Sequence, residues 1–162
     1  MENDETVDLK VIRHPGAAAI VAMPDPETIL LLHQYRHAVG GYIWEVPAGT
    51  MDGGETPEQC ARRELAEETG FSARDVEKLA EIIPVPGYSD ERVHLFLATG
   101  LEAARQRLDR DELIRVETVP MKGALDMIEE GRIQDAKTIA SLMLAARRLG
   151  ADMRRSITKE DS

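Results

Sequence analysis

The stretch GTMDGGETPEQCARRELAEETGF, residues 49–71, decides the fold, because it carries both ends of a helix and the loop before it. Thr56 and Gln59 have the spacing of a capping box, and Pro57 suits the first position of a helix. Gly70 suits the left-handed conformation that commonly ends one. The sequence therefore predicts a single helix that follows Thr56 and stops at Gly70, with a glycine-containing loop leading into it.

Three carboxylates of this helix, those of Glu64, Glu67 and Glu68, project within one arc. At about 100° per residue they fall within roughly 100° of one another, close enough to converge on one point. Like charges four residues apart repel, so a purely structural helix gains nothing from the arrangement. A divalent cation removes the conflict, because Mg2+ prefers oxygen ligands. The alternative is a solvated acidic face, which is the usual fate of a charge run.

The spacing of glycines, glutamates and one arginine in residues 49–71 resembles the signature of the Nudix hydrolases. The matching residues are Gly49, Glu55, Arg63, Glu64, Leu65, Glu67, Glu68, Gly70 and Phe71. The resemblance implies an α/β fold, namely an α/β/α sandwich with a mixed β-sheet between helices. It also implies hydrolysis of a nucleoside diphosphate linked to another moiety, with Mg2+ as the cofactor and Mn2+ as a substitute.

The same resemblance assigns roles to residues around the predicted metal site. Glu64 and Glu68 look like direct metal ligands, with Glu67 nearby as a third ligand or a support. The carbonyl of Ala48 resembles the backbone ligand of the family. The residues expected to support the signature structurally are Gly49, Glu55, Arg63 and Gly70. Among these, Arg63 and Glu55 are expected to orient the catalytic glutamates through an ion pair.

Length and composition favour one ordinary globular domain. The chain has 162 residues, of which 43% are hydrophobic and 31% charged, enough for one core and short for two domains. The formal net charge of -10 argues against nucleic acid and against an anionic membrane surface as partners. Since the predicted substrate is itself anionic, local cations must overcome an unfavourable overall field.

We expect a flexible N-terminus at residues 1–10, a Nudix domain at residues 11–149 and a flexible C-terminal tail at residues 150–162. The acidic N-terminus lacks the apolar core of a signal peptide, and no apolar run reaches the length of a membrane span. A cytoplasmic protein is therefore expected. The single cysteine, Cys60, lies within the predicted helix and is best explained as small buried filler.

Apolar runs outside the signature predict the remaining strands and helices. The predicted strands cover residues 17–23, 29–35, 42–46, 76–85, 92–98 and 114–119. Helical patterning covers residues 124–130 and 135–149, with Asp135 as the cap of the second helix. Strands interspersed with helices agree with a sheet that is covered on both faces.

Sequence outside the signature is similar to the ADP-ribose pyrophosphatase branch of the Nudix hydrolases. The similar segments are residues 14–17, 34–36, 45–49, 84–91 and 135–138. They imply cleavage of ADP-ribose, or of a related nucleoside diphosphate sugar, to a nucleoside monophosphate and a sugar phosphate. The alternatives are a Nudix hydrolase of an oxidised nucleoside triphosphate or a dinucleoside polyphosphate, and a sensor that binds a nucleotide sugar without cleaving it.

Three residues outside the predicted helix are candidate substrate-binding residues. Arg36 ends a predicted strand close before the site, where a guanidinium can clamp a diphosphate; the alternative is a surface ion pair. Glu45 precedes the loop and can reach a ribose hydroxyl or a metal-bound water, or be an ordinary charge at the sheet edge. Gly87 lets its loop approach the substrate closely, or simply makes a turn.

Hydrolysis also needs a proton acceptor for the attacking water. In the resembling branch this base looks like a glutamate on a late loop, which corresponds here to residues 108–114. Glu112 is the predicted catalytic base, with Asp111 and then Asp109 as competitors. Glu67 is the other catalytic candidate, as in other Nudix branches.

The chain departs from the ADP-ribose branch at its N-terminus. Members of that branch usually carry an N-terminal β subdomain that swaps across a dimer and supplies an aromatic residue against the adenine. Few residues precede Val11 and no aromatic residue precedes Tyr35, so we expect the swapped arm to be missing. The resemblance still allows for a homodimer. Either adenine stacks on Tyr88 or Trp44, or discrimination between bases is weak.

Overall fold

The computed structural model describes residues 7–108 and 113–160, with side chains as far as residue 150. The strands are β1 (Ala17–Ala22), β2 (Thr28–Arg36), β3 (Gly41–Glu45), β4 (Ala48–Thr50), β5 (Phe71–Ile82), β6 (Val93–Ala103) and β7 (Ile114–Pro120). The helices are α1 (Pro57–Thr69), α2 (Met121–Glu129) and α3 (Ala136–Glu160).

The strands form two sheets. A four-stranded sheet has the order β4-β1-β6-β5, in which β1 and β6 are parallel and the other pairs are antiparallel. A three-stranded antiparallel sheet has the order β3-β2-β7. The predicted mixed sheet is thus present, and a second, smaller sheet accompanies it.

Strand β1 lies at the centre of the sandwich, because its apolar side chains alternate between two cores. On one face Ala17, Ala19 and Val21 share a buried cluster with residues of α3. On the other face Ala18, Ile20 and Ala22 share a cluster with residues of α1. Helices therefore cover both faces of the mixed sheet, which confirms the predicted α/β/α architecture. Cys60 of α1 is fully buried among these residues, as expected.

Both predicted ends of α1 are confirmed. The Thr56 side chain accepts a hydrogen bond from the backbone N–H of Gln59, and the Gln59 side chain accepts one from the backbone N–H of Thr56. At the other end Gly70 has φ 75°, the left-handed region that glycine adopts without strain, and its N–H donates to the Ala66 carbonyl. The helix therefore begins and ends where local chemistry places it.

Several element boundaries differ from the prediction. Strand β5 begins directly after Gly70, because Phe71 pairs with Ala103 of a β6 that is longer than expected. The short strand β4 was not predicted. Helix α3 continues to Glu160, so its predicted end at residue 149 is wrong; an isolated glycine such as Gly150 weakens a helix but need not end it.

The proposed domain boundaries and the flexibility of both termini stay predictions. In the part of the chain that the structure describes, no helix is long and apolar enough to cross a membrane.

Candidate active site

Strand β4 places the loop backbone directly against the acidic face of α1. The Ala48 N–H donates to Glu68 Oε2 at 2.9 Å, and Glu68 is only 2% exposed. A Cβ added at Gly49 would lie 1.8 Å from Glu64 Oε1, closer than any real contact. The absence of a side chain at Gly49 is therefore what lets the Glu64 carboxylate lie against the backbone.

Arg63 joins the loop to the glutamates of α1. Its Nε and Nη2 donate to the two oxygens of Glu55 at 2.9 and 3.0 Å, a paired contact of guanidinium with carboxylate. Its Nη1 donates to Glu64 at 2.7 Å and to Glu67 at 3.1 Å. Glu55 in turn accepts from the Asp52 N–H at 3.1 Å. The predicted ion pair of Arg63 with Glu55 is present, and Arg63 also binds two of the three glutamates.

These contacts shift the acid–base behaviour of the groups around Arg63. The hydrogen bond to Glu55 is the main reason that the pKa of Arg63 is raised. The same bond holds the pKa of Glu55 below its usual value. Burial, helped by the charges of Glu55 and Glu64, raises the pKa of Cys60 to about 12. The thiol is therefore protonated at neutral pH and is no nucleophile.

The glutamates and Arg63 line one side of a cavity of about 470 Å³, which we call the acidic cavity. Its lining residues are Arg36, Ala48, Gly49, Thr50, Asp52, Arg63, Glu64, Glu67 and Glu68. All three glutamates predicted to bind metal thus face one space, together with Ala48. Within residues 7–108 and 113–150, however, no group of three or more His, Cys, Asp and Glu side chains is already arranged around a metal position. Glu64 and Glu67 instead bind the Arg63 guanidinium.

A second cavity of about 370 Å³ adjoins the first, and we call it the mixed cavity. The two share Arg36, Ala48, Gly49 and Thr50. The other residues that line the mixed cavity are Ala17, Pro84, Val85, Glu91, Val93, Asp135, Ala136 and Lys137. Together the two cavities form one cleft with Arg36 at their junction.

A buried carboxylate holds the cations of the mixed cavity. Glu45 is 2% exposed; it accepts from Arg36 Nε at 2.6 Å and forms an ion pair with Lys137. Lys137 Nζ also lies 3.0 Å from Asp135 Oδ2. Burial lowers the pKa of Arg36, but the hydrogen bond and charge of Glu45, with the charges of Glu68 and Asp135, outweigh it and raise the pKa overall. Arg36 therefore stays charged.

The other predicted site residues do not line the cleft or lie outside the described residues. Glu45 does not line the cleft, because both its oxygens are occupied by Arg36 and Lys137. Gly87 lines neither cavity, although Pro84, Val85 and Glu91 of the same connection do. Glu112, with its competitors Asp109 and Asp111, lies outside the described residues. Gly70 supports the helix end rather than the cleft.

The two candidates for adenine stacking do not line the cleft either. Trp44 stacks on His33 with ring centroids 4.5 Å apart, so one of its faces is already covered. Tyr88 is 56% exposed. Since neither residue lines the acidic or the mixed cavity, a stacking role for either stays a prediction.

Sequence reasoning missed Lys137 and Glu91 as residues of the cleft. Asp135 was predicted only as a helix cap, which it is: its Oδ2 accepts from the Thr138 N–H at 2.9 Å. The start of α3 lines the mixed cavity, and Lys137 lies in the first turn after this cap. The similarity of residues 135–138 and 84–91 to the ADP-ribose branch also covers Lys137 and Glu91, but it assigned neither residue a role.

Comparison with known proteins identifies the family of the chain. The NUDIX domain model matches residues 12–142. The chain is 38% identical over 140 residues to the ADP-ribose pyrophosphatase of Bacillus subtilis, which covers 85% of this chain and 76% of that protein. It is 35% identical over 152 residues to a GDP-mannose pyrophosphatase of Escherichia coli, covering 83% and 79%. The crystal structure of an ADP compounds hydrolase is similar with a TM-score of 0.78 and 26% identity, covering 85% of this chain and 74% of that chain. Because the family model matches residues 12–142 and these two relatives cover 85% and 83% of the chain, the chain belongs to the Nudix family and is a Nudix hydrolase.

Proposed function

We propose that this protein is a metal-dependent pyrophosphohydrolase that cleaves ADP-ribose, or a related nucleoside diphosphate sugar, to a nucleoside monophosphate and a sugar phosphate. Two relatives support the substrate class, since one is an ADP-ribose pyrophosphatase and the other a GDP-mannose pyrophosphatase. A cytoplasmic location and a homodimer stay predictions beside this proposal.

The observation that carries the proposal is the division of the cleft at Arg36. On one side lie the carboxylates of Glu64, Glu67 and Glu68, and on the other lies the mixed cavity. Arg36 lines both. A guanidinium binds phosphate oxygens through paired hydrogen bonds, so Arg36 is suited to hold a diphosphate where the two halves meet. The group attached to the diphosphate then occupies the mixed cavity.

The donor set on the acidic side fits a hard divalent cation, Mg2+ with Mn2+ as a substitute. Carboxylate and carbonyl oxygens are the ligands that Mg2+ prefers. The residues that would hold it are Glu64 and Glu68 and the Ala48 carbonyl, with Glu67 as a third carboxylate. When bound, the cation would neutralise charge on the diphosphate and acidify water.

The chain's own residues supply orientation and a proton acceptor. Arg63 fixes Glu64 and Glu67 relative to the loop, and the Ala48 N–H fixes Glu68. Glu67 is the most exposed of the three glutamates, with a side chain 38% exposed, and it lines the acidic cavity. It can therefore accept a proton from water there. Glu112 remains the first candidate for the base from the sequence resemblance.

A substrate panel tests the proposal. The purified protein would be incubated with MgCl2 and, in separate reactions, ADP-ribose, GDP-mannose, ADP-glucose and the nucleoside triphosphates, and the products would be separated by ion-exchange chromatography. We expect turnover of at least one nucleoside diphosphate sugar to its nucleoside monophosphate and sugar phosphate. Turnover of triphosphates in preference to every diphosphate sugar, or no turnover of any diphosphate sugar, would refute the proposal.

A further inference from the structure

The mixed cavity carries charges of both signs. Arg36 and Lys137 line it together with two carboxylates, Asp135 and Glu91. A pocket built for a phosphate presents an excess of donors and positive charge. The mixed cavity does not, and this difference bears on what the substrate carries beyond its diphosphate.

The two cations of the mixed cavity are already compensated within the protein. Buried Glu45 pairs with both Arg36 and Lys137, and Asp135 pairs with Lys137 at 3.0 Å. These four groups sum to no net charge. Glu91 then adds a negative charge: its side chain is 26% exposed, and its Oε1 lies 3.9 Å from His14 Nδ1, too far for a hydrogen bond.

We infer that the mixed cavity selects an uncharged, hydroxyl-bearing sugar against a further phosphate, with Glu91 as a specificity-determining residue; this inference rests on the proposed function. A carboxylate accepts hydrogen bonds from sugar hydroxyls, and Lys137 donates to hydroxyl or ring oxygens. Within the part of the chain that the structure describes, a terminal phosphate in the same place meets Glu91 and Asp135 as like charges, and both cations that line the cavity are already paired with carboxylates. The mixed cavity therefore binds sugar hydroxyls more favourably than a terminal phosphate.

A pair of substrates with the same base isolates this effect. ADP-ribose carries a sugar beyond its diphosphate, whereas ATP carries a third phosphate there. We would measure kcat/KM for both with MgCl2 in the wild type, in Glu91→Gln and in Glu91→Lys. The matched control is Glu129→Lys, which makes the same change of net charge on the exposed surface of α2, away from the cleft.

We expect the ratio of ATP to ADP-ribose activity to rise about tenfold or more in Glu91→Lys, since reversing one charge near a phosphate is worth at least about one factor of ten. Glu91→Gln is expected to lie between the wild type and Glu91→Lys, because it removes the repulsion without adding attraction. Glu129→Lys is expected to keep the wild-type ratio. Equal ratios in Glu91→Lys and Glu129→Lys would overturn the inference.

A binding measurement separates this inference from the proposed function. If the wild type hydrolyses no diphosphate sugar, the proposed function fails, and the same four proteins are titrated with ADP-ribose and with ATP by calorimetry. The inference then predicts that binding of ATP relative to ADP-ribose is strongest in Glu91→Lys, intermediate in Glu91→Gln and weakest in the wild type and Glu129→Lys. It is overturned if Glu91→Lys changes both affinities by the same factor.

Discussion

Gly49 shows at the scale of one residue why the Nudix signature needs a glycine. Its φ does not lie in the left-handed region, so the backbone conformation alone does not demand glycine. The demand comes from Glu64, whose carboxylate occupies the space that a Cβ would take. The sequence predicts a glycine-containing loop here, and the structure shows that its backbone lies against the Glu64 carboxylate.

Gly49→Ala is expected to lower kcat/KM by roughly 10²-fold, because a displacement of about 1 Å in a catalytic group has that effect. The new methyl group forces the Glu64 carboxylate away from the backbone at residue 49 and from Arg63. Steady-state kinetics on the substrate found in the panel would measure the loss. Gly53→Ala is the matched control, since a Cβ at Gly53 meets no atom within 4 Å. Equal activity of the two variants would contradict the explanation.

At the scale of elements, the ion pair of Glu55 with Arg63 fastens the signature loop to α1. Glu55 belongs to the loop and Arg63 to the middle of the helix, and the Arg63 Nη2 also donates to the Thr50 carbonyl of β4 at 3.1 Å. One guanidinium thus holds three pieces of backbone in register. The geometry of the glutamates depends on this contact as much as on the helix itself.

This contact makes part of the stability depend on pH. The pKa of Glu55 in the folded protein lies below its usual value, chiefly because of the hydrogen bond with Arg63. A lowered pKa means that the stabilisation is fully present above the unfolded value and is lost as the pH falls through the folded value. We expect Glu55→Gln to reduce the free energy of unfolding by about 1–2 kcal/mol at pH 7, and the difference from wild type to shrink below about pH 4.5.

Urea unfolding of both proteins between pH 3 and pH 8 would measure this difference. Glu58→Gln is the control, because Glu58 pairs with Arg62 on the exposed surface of the same helix. Such pairs contribute at most a few tenths of a kcal/mol. A difference between wild type and Glu55→Gln that is constant down to pH 3 would exclude the Glu55 carboxylate as its source.

At the scale of the whole molecule, the cleft reconciles an acidic protein with an anionic substrate. The formal net charge is -10, and the nearest face of α1 adds three carboxylates to the site. Arg36 and Lys137 line the cleft, but their charges are balanced by Glu45 and Asp135. The carboxylates opposite them have the chemistry of a cation site. Positive charge beside the substrate would therefore come mainly from a cation bound to these carboxylates.

Local chemistry explains how much of this was predictable from the sequence. The ends of α1 follow from side chains within a few residues of each other, such as Thr56 and Gln59, so the sequence contains the whole signal. The sequence indicates that Glu45 lies next to the site, but not that it pairs with both Arg36 and Lys137. Lys137 lies 92 residues away from Glu45 in the chain. Contacts of that kind depend on how β3 and α3 pack. No pattern within either segment contains them.

If the glutamates of α1 support cleavage of a diphosphate sugar with a divalent cation, turnover must depend on both the cation and Glu68. Turnover of ADP-ribose would be measured for wild type and Glu68→Gln with MgCl2 and with a chelator, using circular dichroism to check that both are folded and Glu58→Gln as control. We predict that wild type and Glu58→Gln yield AMP and ribose 5-phosphate only with MgCl2, and that Glu68→Gln is slower by roughly 10²–10³-fold. Turnover by a folded Glu68→Gln protein at the wild-type rate would show that Glu68 does not hold the cation.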